Sequence, residues 1–508
     1  MHTTEIDHEV VVIGGGFSGI GMAIALERAG IPDYRIIEEG TGFGGTWYWN
    51  RYPGVAVDIP SFSYQFSYDQ RSDWSRVYAP GAELLAYAER CAADHALYDK
   101  VQFGTRVTGA TYDGERHRWE LETSTGERLV ARHVVDATGV LTQPKRPEIE
   151  GVDDFAGVTL HTARWDHAQD LRGKRVAIIG TGASAIQLLP AIAPEVAKVT
   201  VFQRTPIWCL PKLDAPLPGV LGWILGHVPG AKRAARLVSQ TLVELQFPIA
   251  AHFHKPLGLA PFFEKSAKRY IAKQVHDPVL REKLTPKYGL GCKRPSFHNE
   301  YLATYNRPNV ELETTPIARI TEHGVVTTDG TEHEIDVLVL ATGFKVFDPG
   351  NFPKYPVTGR GGVDLERWWD ENRYQAYHGI SVPGFPNYFT MFGPYGYNGS
   401  SYFNLVETQS RHIVRALQHA RSAGATQIEV TREANDRYWA KALSRRGRQV
   451  FAQPSCAHAN SYYFDRHGDT PLRPSLTIET VWDSHRFPLS DYRLQTADAA
   501  VPVAAPAA

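Results

Sequence analysis

The chain has 508 residues, 43% hydrophobic and 21% charged, with a formal net charge of −1. It is too long for one hydrophobic core, so two or three lobes are expected, and its charge balance offers no global field for nucleic acid or an anionic membrane. The four cysteines, Cys91, Cys209, Cys292 and Cys456, stand far apart without CxxC or metal-type spacing. That argues against a disulfide scaffold, a zinc site and a dithiol redox centre.

The opening "MHTTEIDHEVVVIGGG" runs almost at once into a strand, leaving no room for a signal peptide, so a cytoplasmic location is expected. "VVVIGGGFSGIGMAIALERAG" reads as buried strand, glycine turn and helix, and "RIIEEG" as the next strand. Gly14 allows the tight turn, Gly16 lets the backbone approach a pyrophosphate, and Gly19 permits close helix–strand packing. The helix N-terminus then faces the phosphates. Glu38 ends the second strand, where a carboxylate meets ribose hydroxyls. "GGTWYWNRYPGVAVD" (44–58) sets three aromatics around Asn50 and Arg51, turns at Pro53-Gly54 and reaches Asp58. An aromatic packing loop with a helix-capping or salt-bridged Asp is an equal reading of those residues alone. A β-meander with turns at Asp113-Gly114 and Gly126 leads into the closing strand "HVVDATG" (133–139).

The stretch "FAGVTLHTARWD" (155–166) then joins this unit to a second one. Connectors are usually small, polar and forgiving, but this one holds Phe155, Gly157, His161, Trp165 and Asp166. "RVAIIGTGASAIQLLPAIA" repeats strand, turn and helix with Gly180, Gly182 and Ala185, and "KVTVFQRT" supplies the matching second strand. Arg204 lies 24 residues after Gly180, as Glu38 lies 24 after Gly14. A carboxylate suits a free 2′-hydroxyl and a guanidinium suits a 2′-phosphate, so the first site is expected to take FAD and the second NADPH. The plainer reading of Arg204 is a solvated surface charge.

From Thr205 to about Leu290 helical stretches replace the glycine turns. The most apolar, "LPGVLGWILGHVPG" (217–230), is broken by Gly and Pro and too short to span a bilayer. A buried helix is expected there, with peripheral membrane contact as the alternative. "GCKRPSFHNEYLATYNRPNVEL" pairs Lys293 with Arg294, whose side chains point to opposite faces if the segment is extended. The alternative is two exposed cations. A second meander, with turns at Gly324 and Asp329-Gly330, leads to "DVLVLATG" (336–343). After Phe344 the chain is expected to rejoin the first unit through the strand, glycine loop and long helix of "GFPNYFTMFGPYGYNGSSYFNLVETQSRHIVRAL". The tail "ADAAVPVAAPAA" lacks bulky residues and is expected to be disordered.

The fold class is therefore α/β, with two nested Rossmann-like dinucleotide-binding domains and a helical insertion in the second. The expected limits are 1–142 and 345–495 for the FAD-binding domain, and 143–205 and 291–344 for the NADP-binding domain. The insertion covers 206–290 and the tail 496–508.

The chain resembles the Baeyer–Villiger monooxygenases over nearly its whole length. "FAGVTLHTARWD" matches that family's signature F-x-G-x-x-x-H-x-x-x-W-[PD] at every fixed position. "GGTWYWNRYPGVAVD" matches its second signature through Gly44, Gly45, Trp47, Tyr52, Pro53, Gly54 and Asp58. Sulfur- and nitrogen-oxidising flavin monooxygenases share the glycine fingerprints but lack the Trp-Asp ending. The resemblance implies an enzyme that uses NADPH, FAD and O2 to insert oxygen beside a ketone carbonyl through a C4a-peroxyflavin, giving an ester or lactone. It implies flavin contacts at Gly14, Gly16, Ser18, Gly19, Glu38, Thr46, Trp47, Asp58 and Tyr64. NADP contacts would lie at Gly180, Thr181, Gly182, Ala183, Ser184, Ala185, Gln187, Arg204, Thr205 and Lys293. Arg294 matches the catalytic arginine and Asp58 its acidic neighbour, while His161 would organise the hinge between domains. Tyr462 stands where relatives carry a Trp, which leaves the substrate range open. No metal, nucleic acid or integral membrane segment is implied. The rival readings are a sulfur- or nitrogen-oxidising monooxygenase and a non-catalytic redox-sensing flavoprotein. A pyridine nucleotide–disulfide reductase is disfavoured, because no cysteine pair is spaced for it.

Overall fold

The computed structural model describes residues 6–253, 258, 260–457, 459 and 461–497. Most of the expected tail therefore lies outside the described residues. The first unit opens with β1 (His8–Ile13), α1 (Phe17–Arg28) and β2 (Tyr34–Ile37). Val10, Val11 and Val12 are fully buried, as befits a parallel strand covered on both faces. The one-turn helix α2 (Thr46–Trp49), α3 (Gly81–Asp94) and β3 (Val101–Gln102) follow. Then comes the meander β4 (Val107–Asp113), β5 (Arg118–Thr123) and β6 (Arg128–Asp136). β6 does two jobs: its start pairs antiparallel with β5, and its later residues pair parallel with β1. The meander strand and the closing strand are thus one nine-residue element.

The second unit contains β7 (Val158–His161), β8 (Arg175–Ile179), α4 (Ala183–Ile192) and β9 (Lys198–Phe202). The insertion begins after β10 (Cys209–Leu210) with α5 (Gly219–His227) and α6 (Ala231–Glu244), and also holds the helix Ala260–Gln274. The chain returns through β11 (Ser296–Phe297), β12 (Val310–Glu313), the strands β13 (Ile317–Ile320), β14 (Gly324–Thr327) and β15 (Glu332–Glu334), and β16 (Val337–Leu340). β12-β9-β8-β16-β7 form an all-parallel sheet, with β13–β15 as a separate antiparallel one. β17 (Val357–Thr358) and β18 (Tyr388–Thr390) then rejoin the first sheet, whose order is β17-β4-β5-β6-β1-β2-β3 with β18 also on β6. The helix Tyr402–Ser422 follows and lies on α1, where Gly21 leaves no room for a Cβ beside Val406 and Phe66.

Three sequence expectations are corrected. The centre of "FAGVTLHTARWD" is a strand, since Val158–His161 pair in parallel with Val337–Leu340 at the edge of the second sheet. Its glycine is steric in origin: a Cβ on Gly157 would meet the Phe155 ring at 2.6 Å and the Asp336 carbonyl at 2.7 Å. The apolar helix α5 is not buried, because only Leu225 among its residues is. Cys292 and Cys456, 164 residues apart, form a disulfide. Spacing rules read only local pairs, and this pair is assembled by the fold.

No helix among the described residues is long and apolar enough to cross a membrane.

Candidate active site

Both glycine turns lie at the carboxyl ends of central parallel strands, the crevice where open α/β sheets hold ligands. In the first, Gly14 has φ +110°, a conformation L side chains rarely adopt, and a Cβ there would meet the Ala137 carbonyl at 2.8 Å. A Cβ on Gly19 would run into the Gly14 carbonyl, so only glycine lets α1 sit this close. Ser18 is buried and shares a 2.6 Å hydrogen bond with the Tyr402 hydroxyl. Glu38 is buried too, and its carboxylate accepts from the amides of Gly15 (2.5 Å) and Gly40 (2.6 Å). Burial raises its pKa despite those two donors.

The 44–58 loop closes over this turn. Gly44 donates its amide to the Gly15 carbonyl at 3.0 Å, and Gly45 approaches Gly16 so nearly that a Cβ would lie 2.7 Å from its Cα. Thr46 starts the single turn α2, and Trp47 donates its indole N–H to the Tyr64 hydroxyl at 3.3 Å. Asp58 ends the loop.

In the second unit Gly180 has φ +116°, and Thr181 donates to the Thr205 carbonyl at 2.8 Å. Gly182 and Ala183 are exposed, Ser184 is half-buried, and Ala185 is buried in the core of that unit. Gln187 faces the aromatic loop: its side-chain oxygen accepts from the Tyr52 hydroxyl and its amide donates to the Ala56 carbonyl, both at 2.8 Å. Gln187 thus couples α4 to the loop that ends at Asp58.

Lys293 and Arg294 diverge. Lys293 feels the like charge of Arg204, and burial together with that charge lowers its pKa to about 8. Among the described residues neither of these cations has a carboxylate partner. Arg294 instead donates from Nη2 to Asp58 Oδ1 at 2.6 Å, and its guanidinium lies 5.4 Å from the centre of the Phe247 ring. Burial works against its charge, but Asp58, Tyr397, Tyr463 and Tyr462 outweigh it and raise its pKa further. Its Nε is buried without a hydrogen-bond partner among the described residues. The segment is clamped on both sides, by the Cys292–Cys456 bridge and by the pairing of β11 with β10.

The stretch 155–166 meets the aromatic loop at Trp49. His161 Nδ1 accepts the Ala163 amide at 3.0 Å, which leaves its other nitrogen as the N–H, and burial lowers its pKa. That hydrogen bond fixes the orientation of the ring. The Arg164 guanidinium lies 4.0 Å from the centre of the Trp49 ring, so the two signature stretches touch. Trp165 is half-buried against the core of the second unit, and Asp166 is exposed and closes a turn onto the Ala168 amide at 2.9 Å.

Sequence reasoning missed Tyr397, Tyr463 and Phe247, which surround Arg294, and Tyr402, which holds Ser18. The aromatic, glycine-rich run "GPYGYNGSSYF" was the available signal for two of them.

These features fit a flavin and a nicotinamide nucleotide. Two glycine cradles would be filled by any side chain, and among the described residues two cations lack counter-ions and a permanent cation has an unpaired buried N–H.

A family model described as pyridine nucleotide-disulphide oxidoreductase matches residues 11–215. The cysteine pair of such a reductase must exchange with a substrate, whereas Cys292 and Cys456 are 0% and 2% exposed. A Baeyer–Villiger monooxygenase of Streptomyces coelicolor is 37% identical over 96% of this chain and 92% of its own length. Another, from Pseudomonas aeruginosa, is 35% identical over the same shares. The crystal structure of OTEMO in complex with FAD and NADP superposes with a TM-score of 0.84 at 28% identity, covering 97% of this chain and all of the other. The chain belongs to the Baeyer–Villiger monooxygenase family.

Proposed function

We propose that the Arg294–Asp58 pair, which joins the second unit's returning segment to the first unit's aromatic loop, is the catalytic centre of this enzyme. The protein is an FAD-containing, NADPH-dependent monooxygenase. It converts a ketone, O2, NADPH and a proton into an ester or lactone, NADP⁺ and water. When bound, the flavin supplies hydride acceptance and oxygen activation, while the protein supplies position and charge.

FAD would be held by Gly14, Gly16, Ser18, Gly19, Glu38, Thr46, Trp47, Asp58 and Tyr64. NADPH would be held by the 180–187 turn with Arg204, Thr205 and Lys293. Negative charge develops on the ketone oxygen as its carbonyl is attacked. Arg294 stabilises that charge because a guanidinium stays protonated and presents donors in a fixed fork. Asp58 accepts one of those donors, which aims the rest, including the unpaired Nε–H. The domain limits given above are part of this proposal. So is a cytoplasmic location, where NADPH is supplied.

The observation that carries the reading is the 2.6 Å Arg294–Asp58 contact. The purified protein is expected to be yellow, with one FAD per chain, and to consume O2 and NADPH faster when a ketone is present. Linear, cyclic, aromatic and steroidal ketones, tested beside sulfides, give the check. Sulfoxide as the only product would overturn the ketone assignment.

A further inference from the structure

α6 is inside out. Its outward positions are Arg233, Ala234, Leu237, Val238, Thr241 and Leu242, an i, i+1, i+4, i+5 stripe. Leu237 and Val238 are 69% and 63% exposed. Apart from the buried Val243, its inward face is polar: Lys232 donates to the Gln70 carbonyl, Arg236 to the Gln65 carbonyl and Asn404, Ser239 to Ser63, and Gln240 to Ser400. A helix at a water surface carries the opposite arrangement. α5 is apolar on both faces, with Leu225 buried and Val220, Trp223 and Ile224 outward, Trp223 59% exposed. The polar inward contacts fix the orientation, so the apolar stripe cannot turn inward without breaking them. An exposed apolar patch of this kind marks a surface that another body covers.

Charge identifies the body. Residues 206–290 contain twelve lysines and arginines against five carboxylates, a formal +7 in a chain whose total is −1. The outward stripes of α5 and α6 carry no carboxylate, and their ionisable groups are His227 and Arg233. Lys265 and Arg269 are exposed on the Ala260–Gln274 helix of the same insertion, as are Phe262 and Phe263 at its start. Exposed apolar and aromatic side chains on a lobe of net positive charge suit anionic lipid headgroups. α5 and α6 have nine and fourteen residues, short of the roughly 20 needed to span a bilayer.

We propose that α5 and α6 form an in-plane seat on an anionic lipid surface, with Trp223, Leu237, Val238 and Leu242 entering the headgroup–acyl boundary. The test is co-sedimentation of the holoenzyme with vesicles of phosphatidylcholine alone or mixed with phosphatidylglycerol. Wild type is expected to bind the mixed vesicles about tenfold or more tightly than phosphatidylcholine, and less so at high salt. The variant Trp223→Ser/Leu237→Gln/Val238→Gln/Leu242→Gln should lose that binding while keeping its FAD and its NADPH oxidation rate. If that variant does not fold, Leu237→Gln and Lys265→Glu/Arg269→Glu should each weaken vesicle binding severalfold. Wild type that ignores anionic vesicles, or variants that bind them equally well, would overturn the proposal. So would a concentration-dependent dimer that the variant abolishes without any vesicle binding, since the face would then belong to a second copy of the chain.

Discussion

Gly14 and Gly180 begin their turns at φ +110° and +116°, and Gly16 and Gly182 open their helices at φ −76° with ψ −175° and −176°. Backbones this alike say that the turn itself selects no ligand. The selection lies in what surrounds it. Ala185 stands where the first unit has Gly19, so α4 accommodates a methyl that α1 could not. Gly16 faces the Gly44-Gly45 loop, while a Cβ on Gly182 would meet nothing within 4 Å. One turn is roofed and the other open. That is the difference expected between a cofactor kept through many turnovers and one exchanged at each. At the strand ends Glu38 is buried and doubly bonded, whereas Arg204 is exposed beside another cation.

The largest effect should follow from breaking the junction between the units. Arg294→Ala removes the donor set that Asp58 aims, and loss of one preorganised donor to a developing oxyanion costs ~10²–10³ in rate. Flavin binding should survive, because the first turn is roofed by the 44–58 loop and not by Arg294. Ester yield is expected to fall at least that far, with the remaining NADPH consumption appearing as hydrogen peroxide. Product analysis beside a peroxide assay checks this, and an unchanged ester yield would place the charge stabilisation elsewhere.

A smaller effect should sharpen the contrast at the strand ends. A charge-assisted hydrogen bond is worth ~1.5–3 kcal/mol, so Arg204→Ala should weaken NADPH about ten- to a hundredfold and leave NADH nearly untouched. Lys293 adds a pH dependence to the same discrimination. Its pKa, lowered to about 8 by burial and by Arg204, means that its charge is lost as pH rises through that value. The preference for NADPH over NADH should therefore decline above about pH 8 in wild type and stay flat in Lys293→Met. Binding titrations with both nucleotides across that range decide it, and a flat wild-type profile would remove Lys293 from the phosphate.

What could be read from the sequence follows from how local each signal is. The turns, the 24-residue spacings and both signature stretches are contiguous patterns, and they named Glu38, Asp58 and Arg204 directly, while Arg294 was singled out by its pairing with Lys293 and by the family resemblance. The aromatic shell around Arg294 is not contiguous: Phe247 comes from the insertion, Tyr397 from the returning segment and Tyr463 from near the C-terminus. The Cys292–Cys456 bridge spans 164 residues and was invisible for the same reason. The facing of α6 was illegible for another reason, because its periodicity is a good helix signal whichever face points outward. Only the partners of Arg236, Ser239 and Gln240 tell the inside from the outside.

The closing strands carry the last difference. Asp136-Ala137-Thr138-Gly139 in the first unit corresponds to Leu340-Ala341-Thr342-Gly343 in the second, so a buried carboxyl stands where the other unit has a buried leucine. Asp136 Oδ1 accepts from the Thr138 amide and hydroxyl at 3.1 and 2.8 Å, but Oδ2 has no partner among the described residues. Burial raises its pKa to about 6, above what the two Thr138 bonds can offset. Because the folded value exceeds the unfolded 3.8, the folded state binds the proton more tightly. The stability it gains by holding that proton is full below about pH 4 and is lost as pH rises through about 6. Asn has nearly the shape of the protonated acid and does not titrate. Asp136→Asn should therefore match wild type near pH 4 and exceed it by about 1–3 kcal/mol above pH 7. Denaturant melts of both holoenzymes at several pH values give the difference curve, in which other titrating groups cancel. A curve that stays level from pH 4 to 8 would mean that an unseen cation or water already neutralises Oδ2.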